Sequence, residues 1–197
     1  TGGGTGVDAG LPPLSWATMS ITNATSTSII IGLSGDQNDL WAVQDTGHLF
    51  HSTGGAFVHQ FSFSYGAVDL YASGGTVVFI QTRAIRTCTS GCTQESDFAT
   101  LDLLNTGINW NLFGYALCGT GPNHIVAVVS DTNDNAQLIE WNGSTWARTN
   151  TSVGIDNPRA CWFDEQGRLF IAGQDAVAFD DSGAVTTIPL SSNLTNY

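Results

Sequence analysis

The chain contains no lysine, and only 11% of its 197 residues are charged. About 25% is usual for a globular domain. Without lysine there is no Schiff-base chemistry and no P-loop lysine. All five basic residues are arginine, against 17 acidic ones, for a net charge of −12. Phosphate backbones and anionic lipid repel such a chain, which argues against nucleic acid and the membrane surface as partners. Long apolar runs are also missing. Ile29-Ile30-Ile31, for example, is only strand-sized, and no run approaches the roughly 18 residues that read as a membrane span. No charged stretch followed by an apolar one suggests a signal peptide. Neither a Gly-x-Ser-x-Gly elbow nor a Gly-rich phosphate loop occurs, and the arginines are scattered rather than clustered as carboxylate-holding sialidase sites require.

What is present is a foldable core: 42% hydrophobic residues and 10% aromatic, including six Trp. That excludes a disordered acidic chain. The length suits one domain. Residues 1–13 read as a flexible tether, because five of the first ten are Gly and Pro12-Pro13 cannot donate to a ladder. This opening resembles the stretch behind the processed end of a bacterial lipoprotein. Residues 14–197 form the expected domain. Four Cys in a Ser/Thr/Asn-rich, lysine-free chain favour an oxidising, extracytoplasmic setting, secreted or at the cell surface. Four Asn-x-Ser/Thr sequons, at Asn23, Asn142, Asn150 and Asn193, arise readily by chance in such a composition.

One unit repeats four times. Apolar pairs recur at Leu40-Trp41, Val77-Val78, Ile125-Val126 and Leu169-Phe170. Seven or eight residues before each pair lies an inner position: Leu33, Leu70, Cys118 and Cys161. A later turn supplies Gly54, Gly107, Gly143 and Gly183, followed three residues on by Phe57, Trp110, Trp146 and Thr186. Turn signals between β-branched and aromatic runs read as all-β. The nearest approach to helical periodicity, Glu95 to Leu104, is short. Expected inner strands lie near 29–34, 67–73, 114–119 and 159–163, and second strands near 39–44, 76–83, 124–129 and 168–173. Third strands are expected near 47–52, 97–103, 137–141 and 176–180, and outer strands near 56–63, 109–113, 145–150 and 184–190. An extra strand, Leu14 to Ile21, precedes the first unit. It either lies beside the last outer strand or leaves the ring for another molecule. A repeat of about 40 residues with four strands signals a β-propeller. The chain resembles the divergent, loosely kelch-like propeller repeats of exported bacterial proteins, in which a Leu-Trp-Ala-Val strand precedes a Trp-Asn-Gly-x-x-Trp hairpin. The expected fold is therefore all-β: a small propeller of about four four-stranded blades plus one N-terminal strand. A β-sandwich is the alternative.

Cys88 and Cys92 bracket a stretch of the loop 84–96, so a local disulfide is expected there rather than zinc, which would need a second ligand pair at finger spacing. Cys118 and Cys161 share the inner repeat position, so a bridge between neighbouring inner strands is expected.

Among polar residues, Asp36, Asp69, His124 and Asp164 fall at or near inner-strand mouths and are the candidate ligand-binding set. His48 and His51 differ by an odd number along one strand and point to opposite faces. Cross-strand surface histidines, with His59, are the expectation for that group. Asp131, Asn133 and Asn135 place oxygens at alternate positions, as calcium loops do, but lack the loop's glycine and its terminal glutamate. Calcium is thus the one cofactor in view. Most Trp fall on the repeat and should pack between blades. The leading functional expectation is a non-catalytic binding or assembly module that recognises a glycan or protein through propeller-face loops, as a monomer, a homo-oligomer or a subunit of a surface assembly. The alternative is a propeller lyase or hydrolase with its site at the axial mouth.

Overall fold

The computed structural model describes residues 21–22, 28–36, 38–104, 113–131, 133–149, 153–174, 176–181 and 184–189. The tether 1–13, Trp16, Gly107 and Trp110 lie outside them. The first blade comprises β2 (Ile30–Asp36), β3 (Asp39–Gln44), β4 (His48–Ser52) and β5 (Phe57–Ser62), preceded by β1 (Ile21–Thr22). The second is β6 (Ala67–Ser73), β7 (Thr76–Gln81), β8 (Ala84–Cys88) and β9 (Ala99–Asp102). The third is β10 (Phe113–Gly121), β11 (His124–Ser130), β12 (Ala136–Trp141) and β13 (Trp146–Arg148). The fourth is β14 (Ala160–Phe163), β15 (Leu169–Ala172), β16 (Ala176–Asp181) and β17 (Ala184–Pro189). Each blade is an antiparallel meander. The innermost strands β2, β6, β10 and β14 contact one another in sequence. This is the β-propeller arrangement.

Period-2 alternation tells each strand which neighbour its side chains meet. In β7 every residue is buried. Val77 and Phe79 pack toward the first blade with Trp41, Val43, Leu49 and Leu70. Val78 and Ile80 pack toward the third with Leu117, Ile125 and Ala127. A strand buried on both faces reads as a continuous apolar run, and Thr-Val-Val-Phe-Ile is one. The third and fourth blades meet through Cys118, Val126, Val128, Leu138, Leu169 and Ile171. Inner strands approach closely enough to require glycine. A Cβ at Gly32 would stand 2.8 Å from the Leu70 Cβ, and one at Gly114 would stand 2.3 Å from Ile80 Cγ1.

The structure corrects three expectations. First, residues 97–103 are not the third strand of the second unit. That strand is β8, inside what reads as the loop 84–96. Gln81 pairs with Ala84 across a tight turn, and Ile85 is fully buried. Arg83 and Arg86 disguise the strand by interrupting its apolar pattern. The outer strand is β9, and a short 3-10 turn, Glu95–Asp97, precedes it.

Second, the described part of the N-terminal strand does not lie beside β17. Ile21–Thr22 pairs in parallel with Phe57 and Val58 of β5, and Ile21 packs against Ala42, Phe50 and Phe57. β5 is the outer strand of the first blade, the unit that β1 precedes in the chain.

Third, Cys118 does not occupy the position of Leu33, Leu70 and Cys161. Leu33 pairs with Ala42, Leu70 with Phe79 and Cys161 with Ile171. The equivalent pair in the third blade is Leu117 with Ala127, because an irregularity between Gly119 and Gly121 adds a residue. Cys118 therefore points forward to the fourth blade while Cys161 points back, and this is why they can meet. Both bridges form: Cys88–Cys92 and Cys118–Cys161, with Cα atoms 5.9 and 5.7 Å apart.

Apolar clusters join the first blade to the second, the second to the third, and the third to the fourth; among the described residues none joins the fourth to the first. Both end faces carry exposed apolar side chains: Leu33 is 60% exposed on the first blade and Trp162 44% on the fourth.

Candidate functional site

Because all four blades repeat one up-and-down order, the turns joining first to second strands fall at one end of the molecule, and those joining second to third strands at the other. Asp36, His124 and Asp164 all lie at the first end, and each is engaged locally. Asp36 Oδ1 accepts from the Asn38 and Asp39 backbone amides at 2.8 and 3.1 Å. His124 Nδ1 meets Thr120 Oγ1 at 2.9 Å, and the ring lies 5.1 Å from that of Phe163. Asp164 Oδ1 accepts from the Gln166 and Arg168 amides, and Oδ2 from Arg168 Nε at 2.6 Å. Partial desolvation works against ionisation of Asp164, but the Arg168 amide and guanidinium, together with Gln166, hold its carboxyl below the usual value.

Asp69 belongs to the inner wall instead. Its two oxygens accept from the amides of Leu70 and of Leu117 in the next blade, both at 2.8 Å. Burial pushes its carboxyl up, and the two amides only partly offset that. Ser34 has a matching role in the preceding blade: its hydroxyl accepts from the Ala72 amide at 2.8 Å and reaches the Ala72 carbonyl. Among the described residues no hydrogen bond or ion pair joins any two of Asp36, Asp69, His124 and Asp164.

In the loop considered for calcium, Asp131 Oδ1 accepts from the Asn133 and Asn135 amides at 2.8 and 3.1 Å, and Asn135 Nδ2 reaches both of its oxygens. The carboxylate thus closes its own turn, as Asp and Asn do in ordinary loops.

Sequence reading missed two arrangements. At the first end, a cavity of about 290 Å³ lies between the first two blades, lined by Ser34, Asp36, Asp39, Tyr71 and Ser73. Asp39 Oδ1 accepts from Trp41 Nε1 and stands 2.8 Å from His51 Nε2, with the indole and imidazole stacked 4.1 Å apart. At the opposite end, a cleft of about 700 Å³ lies at the junction of the same two blades, lined among others by Asp45, Tyr65, Gln81, Arg83, Arg86 and Thr100. Arg86 Nε donates to Gln81 Oε1 at 3.1 Å, its Nη1 donates to Thr100 Oγ1, and the guanidinium lies over the Phe63 ring. Gln81 Nε2 in turn donates to the Tyr65 carbonyl. Arg83 lies over the Phe113 ring. Tyr65 is 72% exposed at the rim. Two of the five arginines thus line one cleft of an otherwise acidic molecule. The signal available in the sequence was Arg83-Ala-Ile-Arg86, obscured because β8 reads as loop.

No protein-family model matches this chain, and no curated protein matches it. Solved structures do. A catalytically inactive virginiamycin B lyase from Staphylococcus aureus, solved with quinupristin, superposes with a TM-score of 0.64 at 13% identity, over 88% of this chain and 59% of that one. A nidogen/laminin complex gives 0.60 at 15% identity, over 83% and 65%. YCF48 bound to D1 peptide gives 0.58 at 16% identity, over 83% and 55%. All are β-propeller proteins, and the likeness shows the fold. This chain spans between about half and two thirds of their lengths.

Proposed function

We propose that this chain is a non-catalytic, extracytoplasmic binding module that takes a protein segment in the cleft between the first and second blades. The observation that carries the reading is Arg86. Its guanidinium is held on two sides, by Gln81 and Thr100, over an aromatic ring. A side chain immobilised in advance loses less entropy when it binds. Tyr65 supplies an exposed aromatic rim beside it. Tyr and Arg are the residue types that dominate binding energies at protein interfaces. A planar guanidinium recognises carboxylates, so the expected partner offers an acidic side chain or a C-terminus next to an apolar residue. Solved propellers similar to this chain include ones bound to a peptide and to laminin, which supports a protein partner over a glycan. Two disulfides agree with an oxidising compartment.

Binding of the purified chain to parallel peptide and glycan arrays tests the reading. Acidic peptides should be retained, and both Arg86→Gln and Tyr65→Ala should weaken them by roughly 2 kcal/mol or more, as hot-spot losses do. Retention of glycans alone, or peptide binding indifferent to both substitutions, would overturn it.

A further inference from the structure

Among the histidines, His51 turns toward Asp39 and Trp41 on the face packed against the second blade. His48 and His59 converge on the other face, across the β4–β5 pair. His48 Nδ1 and His59 Nε2 lie 3.2 Å apart. Ser62 Oγ stands 2.7 Å from the first and 3.0 Å from the second. An irregularity between Leu49 and Phe50 shifts the register, so that Phe50 pairs with His59 and His48 with Ser62. That shift brings both imidazoles and the hydroxyl to one point. Phe50 backs them, its ring 5.4 Å from that of His59. The rings and the hydroxyl are partly exposed, so solvent reaches them.

We propose that His48 and His59 chelate a divalent transition-metal ion of the zinc class, with Ser62 at the open side of the site. Zinc binds imidazole nitrogen at about 2.0–2.1 Å, and an ion at that distance from both nitrogens, on the 3.2 Å base, subtends about 100–106°. That is close to the tetrahedral angle zinc adopts. Nitrogen donors select such ions over calcium and magnesium, which take oxygens. Two protein nitrogens leave the remaining positions to water, to the Ser62 hydroxyl or to a donor from another molecule. This is the pattern of an open site rather than a closed structural one. The net charge of −12 favours accumulation of cations at the surface. Together these features make the outer half of the first blade a zinc-dependent surface, separate from the arginine cleft.

The experiment is calorimetric titration of the tag-free chain with zinc chloride. One ion per chain should bind, and zinc should raise the melting temperature by mass action. His48→Gln and His59→Gln should each weaken binding by at least about tenfold, since losing a supporting partner alone costs that much in other zinc sites. His51→Gln should bind as the parent does. No binding at millimolar zinc, or equal binding by all three variants, would overturn the proposal. Should a variant fail to fold, diethyl pyrocarbonate labelling of the parent reads the same contact. Zinc should protect His48 and His59 while His51 and His124 react unchanged; equal labelling of all four with and without zinc would overturn it.

Discussion

Asp69 shows how far a single residue's role can be read in advance. An aspartate between Val68 and Leu70 in an apolar strand is conspicuous, and it invites a reading as a site residue at the axis. Its oxygens instead tie the second inner strand to the third, through the Leu117 amide. Nothing in the sequence links positions 69 and 117; only the blade-to-blade register does. Removing the carboxylate with Asp69→Ala leaves that buried amide without its acceptor, so a loss of about 1–3 kcal/mol is expected in denaturant unfolding. The group also titrates with a definite sign. Its folded pKa lies above the ordinary value because burial disfavours the charge. Whatever stability this proton linkage contributes is fully present below the unfolded pKa, and it is lost as pH rises through the folded one. Melting temperature measured from acid pH upward should show that decline in the parent protein and lack it in Asp69→Ala. An unchanged slope in the variant would show that Asp69 does not titrate as argued.

At the scale of elements, most strands are legible because the period-2 pattern and the turn residues agree. Asn142, for example, accepts from the Ser144 and Thr145 amides through its side chain, as an Asn in a hairpin turn should. Where the pattern misleads, a local irregularity is responsible. The extra residue before His124 puts Cys118 on the forward face, and two arginines conceal β8. The histidine pair shows the same limit, since His48 and His59 meet only because of the irregularity in β4–β5. The Cys118–Cys161 bridge spans 43 residues. Replacing both cysteines by serine should lower unfolding free energy by about 4 kcal/mol on the chain-entropy model. Thermal unfolding with and without reductant gives the comparison, and a variant as stable as the parent would contradict it. Gly114→Ala forces a Cβ against Ile80 and the Gln81 carbonyl. Overpacking of this kind costs about 1–3 kcal/mol, and the variant's denaturant midpoint should fall accordingly.

At the scale of the whole molecule, the four blades follow one another in chain order, and among the described residues the middle two are covered on both faces. A repeat array draws its stability from neighbour interfaces, so end units open more readily than inner ones. Amide exchange should be slowest in Val77–Ile80 and Val126–Val129, and faster in Leu169–Ala172, whose blade carries the exposed Trp162. Uniform protection would mean that the end faces are covered in solution. The propeller class was legible from four recurrences of an apolar pair. The cleft was not, because it lies where two blades meet and no single repeat contains its lining. The central claim is that partner recognition belongs to that cleft rather than to the turns holding Asp36, His124 and Asp164. The most direct measurement is amide exchange of the chain with and without a retained acidic peptide. Bound peptide should slow exchange in residues 64–67 and 81–86 and leave the turns at 36–39, 122–124 and 164–168 unchanged. Protection at those turns, with the cleft unaffected, would contradict the account.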